Sequence, residues 1–264
     1  MPFARISGTV HHYRIDGTSS KPALLFSNSL GTDLRIWDAV AAGLSDRFQV
    51  VLYDKRGHGL TDAPEPPYSA RGLAGDVVGL LDALQIDHAV VCGVSVGGII
   101  AQALALHYPE RVRALILCDT GARIGTVESW QQRIEMVRAG GLQSLVGMTM
   151  ERWFSKGFHE RCPADIRGYA NMLLATNMQG YIGTCGALRD ADFRSDLSRV
   201  KHPTLVVVGA EDIATPPGLG RELAGLIPGA QFSIVDGAGH LPCIEQPNLL
   251  VERLMRFLQE AKLV

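Results

Sequence analysis

The feature that most constrains this chain is the segment Gly-Val-Ser-Val-Gly at residues 93–97, which has the pattern G-x-S-x-G. It stands between an apolar run at residues 89–92, typical of a buried strand, and an apolar run at residues 99–106 that is long enough for a helix. A strand that turns this sharply into a helix strains the central serine, and the flanking glycines let the neighbouring backbones approach. The pattern predicts a Ser95 hydroxyl held out at the edge of a sheet, at the start of a helix.

Apolar runs with the length of strands alternate along the chain with segments that have helical spacing, such as residues 73–84. The strand-like runs lie at residues 23–26, 50–53, 89–92, 114–117, 204–208 and 232–235, after a short antiparallel pair at residues 5–7 and 13–15. Alternating strands and helices indicate a parallel sheet covered on both faces. We therefore predict an α/β fold with a mostly parallel sheet of eight strands.

Residues 121–192 break this alternation, because they contain helical patterns but no strand-like run. The sequence predicts a core of residues 1–120 and 193–264, with a helical cap of residues 121–192 inserted after the sixth strand. Ligands of parallel sheets bind at the carboxyl ends of the strands, so we expect the cap to cover the site. A helical subdomain that packs on the core without contacting a ligand is the alternative.

A serine nucleophile needs a base, and the base needs a partner that fixes its tautomer. Asp212 follows the strand-like run at residues 204–208, and His240 follows the run at residues 232–235. Both residues therefore lie at the same sheet edge as Ser95. The chain order serine, acid, histidine is typical of hydrolases whose serine lies on such a sharp strand-to-helix turn, called the nucleophile elbow. We predict Ser95 as the nucleophile, His240 as the general base and then acid, and Asp212 as the orienting carboxylate.

Other acids compete for the role of Asp212. Glu211 is its neighbour, Asp119 follows the sixth strand, where a few hydrolases carry their acid, and Asp236 precedes the histidine loop. The Gly-x-x-Asp setting favours Asp212. The remaining histidines show no metal-ligand spacing, and no metal is expected.

The tetrahedral oxyanion formed by serine attack needs prearranged donors. We predict the backbone N–H of Val96, directly after the nucleophile, and that of Leu30, in the loop after the run at residues 23–26. Residues 54–59, Asp-Lys-Arg-Gly-His-Gly, form a turn in which we expect Arg56 and His58 to be structural.

The composition excludes several classes of function. The chain has 264 residues, 47% of them hydrophobic, a net charge of -2 and no basic cluster, so nucleic acid is not an expected partner. Five scattered cysteines favour a reducing compartment. The N-terminus has no signal-peptide pattern, and polar residues and glycines interrupt the apolar stretch at residues 89–106, so we expect a cytoplasmic protein without membrane contact.

Several segments carry a family resemblance; they lie at residues 26–37, 53–60, 119–126, 185–192 and 209–217. In these segments and in the G-x-S-x-G turn at residues 93–97, the chain resembles the α/β-hydrolase superfamily, and the resemblance covers nearly its whole length. More narrowly, it resembles the 3-oxoadipate enol-lactonase family. Val96 departs from the pattern of this family, which usually has a methionine there. Asn28-Ser29 replaces the His-Gly that such hydrolases often carry, and we interpret this pair as a mark of the family. Both exchanges leave the backbone donors available.

The resemblance implies an α/β-hydrolase fold, a small anionic enol-lactone substrate of the β-ketoadipate pathway, and no cofactor. An anionic substrate implies a cation in the cap, for which Arg133 is the first candidate and Arg138, Arg152 and Arg189 are alternatives. Trp130 and Trp153 are candidate pocket walls, although core packing would explain both tryptophans equally well.

Other functions remain open from the sequence. The same triad would serve another serine carboxylesterase, a carbon–carbon bond hydrolase or a perhydrolase of this fold. A ligand sensor without turnover is a further alternative. The sequence leaves the oligomeric state undetermined.

Overall fold

A computed structural model describes residues 2–264 as eight strands in one sheet, flanked by helices. The strands are β1 (Phe3–Ile6), β2 (Thr9–Asp16), β3 (Ala23–Ser27), β4 (Gln49–Tyr53), β5 (Ala89–Val94), β6 (Val112–Cys118), β7 (Thr204–Gly209) and β8 (Gln231–Val235). Their order across the sheet is β1-β2-β4-β3-β5-β6-β7-β8. β1 and β2 pair antiparallel, β2 pairs antiparallel with β4, and the strands from β4 to β8 are parallel to one another. The predicted fold class is confirmed.

Eleven α-helices connect these strands. They are α1 (Asp38–Leu44), α2 (Ala70–Ala83), α3 (Val96–His107), α4 (Val127–Gly140), α5 (Val146–Trp153), α6 (Lys156–Arg161), α7 (Pro163–Ala175), α8 (Met178–Asp190), α9 (Pro217–Leu226), α10 (Pro242–Glu245) and α11 (Pro247–Glu260). Every residue of β3, β4, β5 and β7 is buried, because α1 packs with α11, and α2 with α3, over the sheet. This accounts for the continuous apolar runs in the sequence, since strands covered on both faces show no alternation.

The helices α4 to α8 lie between β6 and β7, within the stretch of residues 121–192. α4 packs on α8, and the first turn of α8 packs on the turn after β4. A side chain at Gly180 would overlap the backbone of Gly57, so the two segments approach through their glycines. This contact places the helical segment over the carboxyl ends of the strands.

All five cysteines are free thiols in the structure. Among residues 2–264, no helix combines the length and the apolar character needed to cross a bilayer.

Candidate active site

Ser95 sits at the sharp turn between β5 and α3, with backbone angles φ 59° and ψ -117°. A side chain at Gly93 would overlap the carbonyl of Gly97, and one at Gly97 would overlap the carbonyl of Ser27. Both glycines are therefore required by close backbone approach, as the sequence pattern predicts. The Ser95 N–H donates to the carbonyl of Cys118 at 3.0 Å, which ties the turn to the end of β6.

Asp212 and His240 meet at the ends of β7 and β8. The Nδ1–H of His240 donates to Oδ2 of Asp212 at 2.9 Å, and both side chains are buried. Thr215 Oγ1 donates to the same oxygen at 2.6 Å. Oδ1 accepts from the backbone N–H groups of Ala214 at 2.7 Å and Thr215 at 3.0 Å. These donors hold the carboxylate in one orientation and assign the His240 proton to Nδ1, which leaves Nε2 as an acceptor.

The charge state of Asp212 follows from these contacts. Burial alone would raise the pKa of Asp212, but the positive charge of protonated His240 and the hydrogen bonds from His240 and Thr215 hold that pKa well below its usual value. Asp212 is thus an ionised acceptor, the state that an orienting carboxylate needs.

Ser95 and His240 line the same cavity, but their side chains do not hydrogen-bond to each other in the structure. Among residues 2–264, the Ser95 hydroxyl has no hydrogen-bond partner. Serine–histidine hydrogen bonds are often long in unliganded enzymes and tighten when substrate binds. The structure therefore places the three predicted side chains near one another at the carboxyl-end edge of the sheet. The hydrogen bond between Ser95 and His240 is not formed in it.

The loop after β3, at residues 28–32, carries the predicted Leu30 donor. Leu30 lines the cavity, and within residues 2–264 neither its N–H nor that of Val96 donates to a protein acceptor. The N–H of Val96 belongs to the first turn of α3, where the helix dipole favours negative charge. Both groups are free to bind an oxyanion.

Two buried side chains from the turn after β4 hold this loop in place. Lys55 Nζ donates to the carbonyls of Ser29 at 2.5 Å and Asn28 at 3.3 Å. His58 Nε2 accepts the N–H of Gly31 at 3.0 Å. His58 and Lys55 thus have a structural role, because both hold the loop at residues 28–32 in place. Arg56 forms a bidentate pair with Asp76 away from this loop.

Within residues 2–264, no carboxylate is hydrogen-bonded to Lys55, and burial lowers the pKa of Lys55 from 10.5 to about 7. We expect Lys55→Met to lower kcat about tenfold with KM nearly unchanged, because the loop loses its two hydrogen bonds to Lys55 and the N–H of Leu30, the predicted oxyanion donor, moves. Steady-state kinetics beside the exposed control Lys156→Met measures this effect. A Lys55→Met enzyme within twofold of wild type would remove Lys55 from this role.

The same residue predicts a pH dependence of stability. The folded protein binds fewer protons at Lys55 than the unfolded chain does between pH 7 and pH 10.5, so the wild-type free energy of unfolding gains a contribution that increases with pH over this window. Urea denaturation at pH 7 and pH 9 should show this increase in the wild type and a smaller one in Lys55→Met. Equal pH dependence in both proteins would contradict the prediction.

A cavity of about 260 Å³ opens above Ser95 and His240, between the sheet edge and the helical segment. Its lining includes Ser29, Leu30, Ser95, Trp130, Arg133, Met136, Met148, Thr149, Arg152, Trp153, Tyr181, Thr215 and His240. The helical segment therefore contributes most of the wall. Of the residues predicted from the sequence, Leu30, Ser95, Trp130, Arg133, Trp153 and His240 all face this cavity, whereas Asp212 lies behind His240.

Two arginines give the cavity a positive wall. Arg133 Nη1 donates to Tyr181 Oη at 3.2 Å, and its guanidinium lies 5.6 Å from the centre of the Trp130 ring. Arg152 Nη2 donates to the carbonyl of Ala214 at 3.4 Å. Burial, and then the nearby charge of Arg133, lower the pKa of Arg152. Within residues 2–264, neither arginine pairs with a carboxylate, so both remain available to an anion.

Several of the supporting side chains were not predicted from the sequence. Thr215 stands three residues after Asp212, a spacing that often marks a local side-chain turn and could have signalled it. Tyr181 and Glu245 carried no such signal. Glu245 accepts from the N–H of Gly239 at 2.7 Å and from Ser155, and so joins the His240 loop to the helical segment.

Comparison with known proteins identifies the family of this chain. A family model described as alpha/beta hydrolase fold matches residues 22–247. Two relatives from Acinetobacter baylyi named 3-oxoadipate enol-lactonase 2 and 3-oxoadipate enol-lactonase 1 are 39% and 37% identical, each over 93% of this chain and 92% of its own length. The crystal structure of an enol-lactonase from Burkholderia xenovorans LB400 superposes with a TM-score of 0.95 and 40% identity, covering 98% of this chain and all of that one.

The match spans both the sheet and the helical segment. The elbow serine, the acid after β7 and the histidine after β8 occur in the order of that fold. The chain belongs to the alpha/beta hydrolase family and, within it, is a relative of the ester-hydrolysing 3-oxoadipate enol-lactonases.

Proposed function

We propose that this protein hydrolyses 3-oxoadipate enol-lactone to 3-oxoadipate in the β-ketoadipate pathway, through an acyl-enzyme on Ser95. The observation that carries the proposal is the cavity in which Ser95 and His240 face two arginines that have no carboxylate partner. Relatives at 37–39% identity are named for this activity. A serine–histidine pair that can cleave an ester, beside two arginines, suits a small lactone that carries a carboxylate.

The first half of the proposed reaction opens the lactone ring. His240 Nε2 takes the proton of the Ser95 hydroxyl as the oxygen attacks the ring carbonyl carbon. The N–H groups of Leu30 and Val96 bind the resulting oxyanion, and Asp212 stabilises the protonated imidazole. When the tetrahedral intermediate collapses, the ring C–O bond breaks and the enol oxygen leaves with the proton from His240.

The second half releases the acid. His240, neutral again, removes a proton from a water molecule, which attacks the acyl carbon of the ester on Ser95. Collapse of this second intermediate returns the proton from His240 to the Ser95 oxygen and frees a carboxylic acid, which loses its own proton to solvent. The enol tautomerises to the ketone. Water is the only co-reactant, so the proposed mechanism uses no cofactor.

The helical segment at residues 121–192 acts in this proposal as a cap that supplies substrate recognition. Arg133 is held by Tyr181 on α8 and lies beside Trp130 on its own helix, an arrangement that restricts its guanidinium and lowers the entropy lost on binding. A carboxylate on the substrate would pair with Arg133, while the tryptophans Trp130 and Trp153 enclose the ring. Arg152 adds positive charge to the same wall.

We expect Arg133→Ala to raise KM for the anionic lactone about tenfold or more, because a charge-assisted contact is lost. KM for a neutral ester such as p-nitrophenyl acetate should change less than about twofold, since that ester has no carboxylate to bind. The matched control is Arg138→Ala, an exposed arginine on the same helix. Equal increases in KM for both substrates would remove Arg133 from the binding site.

A substrate panel tests the proposed function as a whole. The purified protein is assayed with the enol-lactone, saturated lactones, p-nitrophenyl acetate and a dienoate, and kcat/KM is compared. We expect the enol-lactone to be preferred. Preference for simple esters or for the dienoate would replace the lactonase assignment by an esterase or a carbon–carbon bond hydrolase. Labelling of Ser95 by a serine-reactive phosphonate with loss of turnover distinguishes all of these enzymes from a ligand sensor.

A further inference from the structure

Three consecutive residues, from Cys118 at the end of β6 to Thr120, connect the nucleophile to the acid. The carbonyl of Cys118 accepts the Ser95 N–H, and Thr120 Oγ1 donates to the Ser95 carbonyl at 2.8 Å. Asp119 lies between them, with a φ of 45° and a side chain that is fully buried. Its Oδ1 accepts the N–H of Gly209 at 2.8 Å, three residues before Asp212. One short segment therefore contacts both the elbow and the acid-bearing turn.

Asp119 lies close to the acid–base pair. One oxygen of Asp119, one oxygen of Asp212 and one ring nitrogen of His240 all lie within 4.8 Å of one another. Within residues 2–264, Asp119 Oδ2 is buried and has no hydrogen-bond donor. The Asp212 carboxylate, in contrast, accepts four hydrogen bonds. Of the two acids, Asp212 has the partners that stabilise an ionised form.

The groups that face Asp119 do not compensate a negative charge on it. They are Asp212, the thiols of Cys118 and Cys243, and His240, whose Nδ1–H is directed at Asp212. Burial raises the pKa of the Cys243 thiol well above its usual value, so that thiol is neutral. Arg152, on the cap, interacts with Asp212. Two adjacent buried carboxylates cannot both ionise without a cation between them.

We propose that Asp119 is a positioning residue for the triad, a neutral carboxylic acid whose Oδ2–H donates to the Asp212 carboxylate. The proposal rests on the hydrolytic function given above. The Asp119 proton moderates the basicity of Asp212 and adds a further restraint on its side chain. Burial and the charge of Asp212 raise the pKa of Asp119 well above its usual value, in agreement with a neutral acid.

Two variants at this position separate a neutral from an ionised Asp119. Asp119→Asn keeps one donor for Asp212 and one acceptor for Gly209, whereas Asp119→Leu removes both. The readout is the rate at which a phosphonate labels Ser95, measured from pH 5 to pH 9. In the plot of labelling rate against pH, we expect the acidic limb for Asp119→Asn to lie within about 0.3 pH units of that for wild type. The limb of Asp119→Leu should move up by about 1 pH unit, with labelling about tenfold slower at pH 7, because Asp212 becomes more basic.

If Asp119 were ionised, Asp119→Asn would shift the acidic limb of the labelling rate downwards. Asp119→Asn would then remove a negative charge near His240, and the acidic limb would move down by about 1 pH unit. That result overturns the proposal. Labelling requires no lactone, so a protein that failed to hydrolyse the enol-lactone would still report on Asp119.

Infrared spectroscopy checks the proton directly and remains informative if Asp119→Leu does not fold. Protein carrying 13C-labelled aspartate should show the C=O stretch of a protonated buried carboxyl group at pH 7, and Asp119→Asn should lose that band. Asp236→Asn removes an exposed aspartate, leaves Asp119 and Asp212 in place and serves as the matched control for loss of one aspartate. Absence of the band in wild type, or its persistence in Asp119→Asn, overturns the proposal.

Discussion

Replacing Ser95 by alanine is expected to lower kcat by at least about 10⁴-fold. The hydroxyl is the only atom removed, and the hydrogen bonds of the elbow that involve Ser95 come from its backbone. The fold should therefore persist, and the variant should still bind 3-oxoadipate with a Kd near that of wild type. Steady-state kinetics and calorimetric titration measure the two quantities, with the exposed serine variant Ser144→Ala as control.

The same position separates catalysis from stability. Ser95 holds a φ of 59° with a ψ of -117°, a conformation that costs a residue with a side chain about 1–3 kcal/mol. Ser95→Gly should be as inactive as Ser95→Ala and more stable to urea, because glycine adopts this conformation without strain. Activity above one per cent of wild type in either variant would rule out Ser95 as the nucleophile.

Asp212→Asn is expected to lower kcat about 10⁴-fold through the wrong histidine tautomer. The N–H groups of Ala214 and Thr215 both donate to Oδ1, so the amide oxygen of asparagine must stay there. The amide NH₂ then takes the place of Oδ2 and faces His240 Nδ1. His240 must accept at Nδ1 and carry its proton on Nε2, where it can no longer receive the proton of Ser95.

The control for this variant is Asp236→Asn, which changes an exposed acid of the histidine loop and should leave kcat unchanged. A 15N NMR measurement of the His240 ring should show the proton on Nδ1 in wild type and on Nε2 in Asp212→Asn. If Asp212→Asn kept activity within tenfold of wild type, Asp119 would be the functional acid, and both the assignment of Asp212 and the proposed neutral state of Asp119 would be wrong.

The fold could be predicted because each of its signals is local. Buried strands give short apolar runs, helices give a 3.6-residue period, and the elbow needs glycines at fixed offsets from Ser95. The helices α6 and α10, of six and four residues, were not predicted from the sequence, because so few residues show no measurable period. The prediction that Asp212 and His240 meet needed only one rule, that the carboxyl ends of parallel strands share one edge of the sheet.

The side chains that hold the loops of the active site in place could not be predicted in the same way. Lys55 and His58 bond to a loop 26 to 27 residues away in sequence, and Glu245 bonds to Ser155 across 90 residues. Such contacts depend on how separate loops pack, and no periodicity or spacing records that packing.

The sequence by itself determined the sheet, the elbow and the order of Ser95, Asp212 and His240, because backbone geometry and burial impose recognisable patterns on neighbouring residues. Only the tertiary structure decided which side chains surround them: Arg133 against Tyr181 in the cavity, Lys55 on the oxyanion loop, and Asp119 beside Asp212. The physical reason is that charge, desolvation and hydrogen bonding act over a few ångströms in space, between residues whose separation along the chain says nothing about their distance.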